Sequence, residues 1–120
     1  MRKIMLVDDD PNIRELLQIR LEANGYAVTH ASNGVEAFAK AVDDKPDLII
    51  LDASMPVMDG YTFAKEMRWR DEVKGVPILV LTAMSKTREM FKDVGISTFM
   101  TKPFDSAELL SSIACCLNQN

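Results

Sequence analysis

Short apolar runs that end in a polar residue recur along this chain, with helix-like stretches between them. Lys3-Ile4-Met5-Leu6-Val7 runs into Asp8-Asp9, and Leu48-Ile49-Ile50-Leu51 runs into Asp52. Ile78-Leu79-Val80-Leu81 runs into Thr82, and Thr98-Phe99-Met100-Thr101 runs into Lys102. Apolar runs this short, bounded by turn or helix signals, read as buried strands. If all four lie parallel in one sheet, their carboxyl ends share one edge, where open α/β sheets bind ligands. Three carboxylates, a hydroxyl and an ammonium would then converge, a set suited to a divalent cation and a phosphoryl group.

The stretches between the strands carry helix signals. Asp10-Pro11 reads as a cap followed by proline at the first helical position. Ile13, Leu16, Leu17 and Leu21 follow at helical spacing, and Asn24-Gly25 closes the helix. Tyr26 to Ala31 reads as a second strand, and Ser32-Asn33-Gly34 as a turn. Val35, Phe38, Ala39 and Val42 form the next stripe, which Lys45-Pro46-Asp47 ends. Met55-Pro56 to Asp59-Gly60 reads as a loop before a third helix marked by Phe63, Ala64 and Met67. Met90, Phe91 and Val94 mark a short fourth helix that ends at Gly95. Asp105-Ser106-Ala107-Glu108 resembles a capping box and opens a last helix with Leu109, Leu110, Ile113 and Leu117 on its inner face. Strict alternation predicts a (βα)5 doubly wound fold with a five-stranded parallel sheet and right-handed crossovers. The common order for such a sheet is 2-1-3-4-5, which makes the four polar strand ends neighbours.

At 120 residues the chain reads as a single domain over 1–120. Its net charge of -4 lacks the basic footprint of a nucleic-acid binder. No apolar stretch reaches the roughly 20 residues that span a bilayer. The N-terminus lacks a signal-peptide cleavage region, so the expected location is the cytoplasm. Adjacent Cys115 and Cys116 point in different directions on a helix and read as reduced structural thiols. His30 reads as a surface or edge histidine, Trp69 as half-buried packing at a helix end, and the 8 Met residues mostly as core filler.

Three crowded carboxylates repel unless a cation neutralises them. Hard oxygen ligands favour Mg²⁺ or Mn²⁺, and Mg²⁺ keeps waters and takes phosphate oxygens. A carboxylate is also a nucleophile for phosphoryl transfer, after which the new oxygens need neutralising partners. Taken singly, each residue has a plainer reading. An Asp-rich turn can be a capped loop, with Asp10 as the cap. Thr82 can be a strand-end hydroxyl bonded to backbone, and Lys102 a solvated surface lysine. Their coincidence at one sheet edge carries the argument.

The stretches Ile4-Met5-Leu6-Val7-Asp8-Asp9-Asp10-Pro11, Leu51-Asp52-Ala53-Ser54-Met55-Pro56-Val57-Met58-Asp59-Gly60, Leu81-Thr82-Ala83 and Thr101-Lys102-Pro103-Phe104 resemble the receiver domains of two-component response regulators. They occur in that family's order, and the resemblance covers essentially the whole chain. It implies a flavodoxin-like fold and a phosphorylation switch rather than an enzyme. Asp52 resembles the phosphoacceptor. Asp8 and Asp9 resemble the acidic pair that holds Mg²⁺, Asp9 more directly, with Ser54 offering its backbone carbonyl. Thr82 and Lys102 resemble the phosphoryl-binding pair, Phe99 the switch aromatic, and Lys102-Pro103 the family's cis bond, which aims the lysine. The implied partners are a sensor histidine kinase or phosphotransfer protein, and an effector met through the fourth helix, fifth strand and fifth helix.

Two departures stand out. The Thr82 to Gly95 interval is about two residues shorter than is usual in the family, which bears on the output surface. Met84 stands where many members carry a small or polar residue, beside the expected path of attacking water. Two rival functions are weighed against the switch. An aspartyl-nucleophile phosphohydrolase of the haloacid-dehalogenase type would place a second Asp where Ser54 stands. A non-phosphorylated interaction module would not need Asp9, Asp52, Thr82 and Lys102 intact.

Overall fold

The computed structural model describes residues 2–52, 57–82, 89, 91–92, 98–101 and 105–118, with backbone alone at 57–59 and 101. The elements are β1 (Lys3–Val7), α1 (Pro11–Ala23), β2 (Ala27–Ala31), α2 (Gly34–Asp43), β3 (Leu48–Asp52), α3 (Val57–Trp69), β4 (Ile78–Thr82), β5 (Thr98–Thr101) and a C-terminal helix, Ser106–Asn118. The strands form a parallel five-stranded sheet in the order β2-β1-β3-β4-β5, as the alternation predicts. All residues of β3 and β4 are buried, as expected of central strands covered on both faces.

Successive residues of a strand face opposite sides, so the sheet feeds two cores. Met5, Val7, Ile49, Leu51, Ile78 and Val80 pack with Ala37 and Ala41 of α2, Phe63 and Met67 of α3, and Phe91. Ile4, Leu6, Leu48, Ile50, Leu79 and Leu81 pack with Leu17 and Leu21 of α1 and with Leu109, Ile113 and Leu117 of the C-terminal helix. Phe63 is fully buried in the first core. Phe63→Ala should cost about 3–5 kcal/mol of unfolding free energy in a urea titration. A loss under about 1 kcal/mol would mean that this core collapses around the deletion.

The caps follow local chemistry. Asp10 Oδ1 accepts from Asn12 N–H at 2.9 Å, with Pro11 at the first helical position. Asp105 Oδ1 accepts from Glu108 N–H at 2.8 Å. Gly25 has φ +89°, the left-handed conformation that ends α1 and suits glycine.

Several expectations change. Strand β2 starts at Ala27, one residue later than expected. Helix α3 starts at Val57, so residues 57–60, read as loop, are helical. Gly60 misleads because glycine usually marks a turn. Here it admits close packing, since a Cβ would lie 3.4 Å from Phe91 Cζ and 3.5 Å from Leu51 Cδ2. Val35 is 84% exposed and Ala39 is exposed, and α2 instead buries Gly34, Ala37 and Ala41. Leu16 is 52% exposed, leaving Leu17 and Leu21 as the buried residues of α1. Trp69 is 80% exposed rather than half-buried, while its neighbour Arg68 is partly buried. The Arg68 guanidinium donates to the carbonyls of Lys74 and Val76 at 2.9 and 3.1 Å, and burial lowers its pKa.

Cys115 is exposed and Cys116 buried, neither in a disulfide, and burial pushes the Cys116 thiol pKa up. His30 is exposed on the edge strand, as expected. Glu89, Phe91 and Lys92 are helical where the fourth helix is expected, while Met90, Val94 and Gly95 lie outside the described residues. Among the described residues no helix is long and apolar enough to cross a membrane.

Candidate functional site

The carboxyl edge of the sheet is where the strand registers bring the candidate residues level. Val7 pairs with Leu51, so the next residues, Asp8 and Asp52, end neighbouring strands side by side. Asp52 pairs with Leu81, which places Thr82 one step further on the adjacent strand, and Thr82 pairs with Thr101. Asp8, Asp52 and Thr82 are the buried polar or charged residues among those described. Their exposures of 2%, 2% and 3% matter, because carboxylates are rarely buried without a dedicated partner.

Asp8 follows β1 and Asp52 ends β3, both buried at the carboxyl edge of the sheet. By alternation Thr82 continues the Ile78, Val80 series, the side that α2 and α3 cover. Phe99 packs against that same side, half-buried, and pairs in register with Val80. Thr82 and Phe99 therefore share a face on adjacent strands, two residues apart in register.

The first acid is anchored through its backbone and side chain. Asp8 N–H donates to Ala31 O at 3.1 Å, extending the β1–β2 ladder by one residue. Asp8 Oδ1 accepts from Asp10 N–H at 2.9 Å, tying the acid to the residue that caps α1. Asp9 is exposed. Among the described residues no three His, Cys, Asp or Glu side chains gather into a complete metal-ligating group. The expected crowding of three carboxylates thus reduces to two buried acids side by side with an exposed one next to them. Such hard-oxygen donors fit a cation that keeps much of its water, as Mg²⁺ does. Ser54, Met84, Lys102 and Pro103 lie outside the described residues.

A polar network beside the site went unread in the sequence. Glu36 Oε2 accepts from Ser32 N–H and Ser32 Oγ at 3.2 and 2.8 Å. Glu36 Oε1 lies 3.0 Å from Lys40 Nζ, which also donates to His30 O at 2.7 Å. The hydrogen bonds from Lys40 and Ser32 hold the Glu36 carboxyl down at about 2, so it is charged across the neutral range. Two sequence signals could have found it: an Asn33 cap three residues before Glu36, and Glu36-to-Lys40 spacing of four on a helix. Asn33 Oδ1 does accept from Glu36 N–H at 2.8 Å.

Residues 4–114 match the response regulator receiver domain family, and the chain belongs to that family. It is 41% identical over 123 residues to the alkaline phosphatase synthesis transcriptional regulatory protein PhoP of Bacillus subtilis, covering 99% of this chain and 50% of that protein. The chain thus spans about half the length of the curated relatives it matches. Its fold is similar to the chemotaxis protein CheY4 of Vibrio cholerae, with a TM-score of 0.89 and 38% identity over 98% of this chain and 99% of that one. It is also similar to the response regulator TrrA of Thermotoga maritima in complex with Mg²⁺-BeF, with a TM-score of 0.84 and 38% identity over 98% of this chain and all of that one.

Proposed function

We propose that this chain is a single receiver domain over 1–120 that works as a phosphorylation switch, with Asp52 as phosphoacceptor. The observation that carries the proposal is the buried pair Asp8 and Asp52 at the ends of neighbouring strands, with Thr82 beside them. The donor is a sensor histidine kinase or phosphotransfer protein. An Asp52 carboxylate oxygen attacks phosphorus, the phosphorus–nitrogen bond to the donor imidazole breaks, and an aspartyl phosphate forms on Asp52. Asp8, Asp9, Asp52 and the backbone carbonyl of Ser54 would hold Mg²⁺, with Mn²⁺ an acceptable substitute. When bound, the cation neutralises charge on the transferring phosphoryl oxygens.

The phosphoryl group gives Thr82 and Lys102 new oxygens to bind, and Pro103 helps aim the lysine. Movement of Thr82 toward those oxygens empties space on the face it shares with Phe99. Phe99 then turns inward and biases an output face made of the fourth helix, the fifth strand and the C-terminal helix. An effector reads that face. The domain itself takes no nucleic acid and no membrane, acts in the cytoplasm, and is a switch rather than an enzyme. Incubation with acetyl phosphate and Mg²⁺ tests this reading. Intact mass should rise by one phosphoryl group, and turnover of phosphate esters should be negligible. An unchanged mass would refute it.

The lifetime of the aspartyl phosphate depends on water reaching phosphorus in line with the breaking bond. Met84 offers no hydrogen bond to orient that water and is bulky enough to exclude it. A long-lived phosphoryl group is therefore expected. Met84→Asn or Met84→Glu should shorten its half-life by about three- to tenfold, roughly 0.7–1.4 kcal/mol of barrier. Acid-quench decay under matched Mg²⁺ measures this, and equal decay in all three proteins would remove Met84 from the water path.

A further inference from the structure

The end of β2 borders the site and lies at the edge of the sheet, where among the described residues β1 alone pairs with it. Its Ala31 carbonyl is what the Asp8 backbone N–H donates to. The residues on either side of Ala31 are both gripped from α2. Lys40 Nζ holds the His30 carbonyl at 2.7 Å, and Glu36 Oε2 holds the Ser32 N–H and hydroxyl. The 3.0 Å Glu36–Lys40 ion pair joins the two grips. Hydrogen bonds then run from this clamp through Ala31 to Asp8, and from Asp8 Oδ1 to the Asp10 N–H that begins α1.

We infer that Glu36 and Lys40 are positioning residues for the acidic pair: their clamp on residues 30–32 sets the backbone of Asp8, and with it the metal-binding geometry of Asp8 and Asp9. The inference rests on the reading of that pair as the Mg²⁺ site. Outer hydrogen-bond partners of metal ligands act in this way, by removing alternative ligand orientations before the metal arrives. A surface ion pair contributes little to global stability. This one matters through its placement, because among the described residues no further strand lies beyond β2 to hold residues 30–32 in line.

The alternative is a network that merely caps α2. The Asn33 cap on Glu36 N–H separates the two, since Asn33→Ala weakens the helix start while leaving the Glu36 and Lys40 side chains in place. Amide hydrogen exchange of the metal-free chain reads the effect directly. Glu36→Ala and Lys40→Met should speed exchange of the Asp8 amide by about tenfold relative to the Ile50 amide. Both should weaken Mg²⁺ binding by about three- to tenfold in calorimetric titration, no more than the low end for outer ligand partners. Glu36→Gln keeps an oxygen for Ser32 and should restore part of both losses. Asn33→Ala should lower the melting temperature and move neither quantity. The inference is overturned if Asp8 exchange is unchanged in Glu36→Ala, or if Asn33→Ala moves both quantities as far. If wild-type chain shows no Mg²⁺ binding that depends on Asp9, the metal-site reading fails, while Asp8 exchange still decides the clamp.

Discussion

Asp52→Asn should take up no phosphoryl group from acetyl phosphate under conditions that add one to the wild-type chain. The substitution is nearly isosteric and sits at the buried end of β3, so sheet order and both cores are kept. It replaces an anionic oxygen nucleophile by an amide, whose lone pair is delocalised and whose attack on phosphorus is far slower. A fall in labelling rate of at least about a thousandfold, roughly 4 kcal/mol of barrier, is expected. Intact-mass measurement over a time course checks it. Equal labelling of the variant would move the phosphoacceptor to another residue.

The second large effect is at Asp9. Asp9→Ala should weaken Mg²⁺ binding by at least about tenfold, ~1.4 kcal/mol, and suppress labelling at Asp52 in step. The side chain is exposed beside the two buried acids, so its loss removes the proposed cation ligand without opening the core. The metal-free melting temperature should therefore hold or rise slightly, because removing a like charge relieves repulsion that solvent already screens. Titration of Mg²⁺ by calorimetry, with a thermal melt of the metal-free variant, separates the two effects. Unchanged Mg²⁺ affinity would contradict the assignment.

The strand ends were readable from residue order because their signal is local. An apolar run that ends in a polar residue marks a buried strand and its exit at once, and alternation of strand and helix signals along the chain leaves few topologies. Asp10 and Asp105 were readable as caps for the same reason, since the bond spans two or three residues. Asp8, Asp52 and Thr82 were legible as a group because parallel register aligns strand ends that the chain presents in sequence.

What stayed hidden depends on residues distant in the chain. Helical periodicity gives the spacing of a stripe but not the rotation of the helix on the sheet, so Val35 and Ala39 read as inner while Ala37 and Ala41 are. Gly60 reads as a turn until Phe91 is known to pack on it. Trp69 reads as half-buried but is exposed, while its neighbour Arg68 is held by the carbonyls of Lys74 and Val76, which lie beyond the helix.

Residue order alone therefore determined the alternation of elements, the main strand boundaries and the identities of the acids at the sheet edge. Those features rest on contacts between near neighbours and on solvent preference. Tertiary structure alone decided that Thr82 and Phe99 share one face, that Asp9 stays exposed beside two buried acids, and that Glu36 and Lys40 grip the end of β2. These depend on register and packing between segments far apart in the chain, where the free energy of each arrangement is shared among many partners.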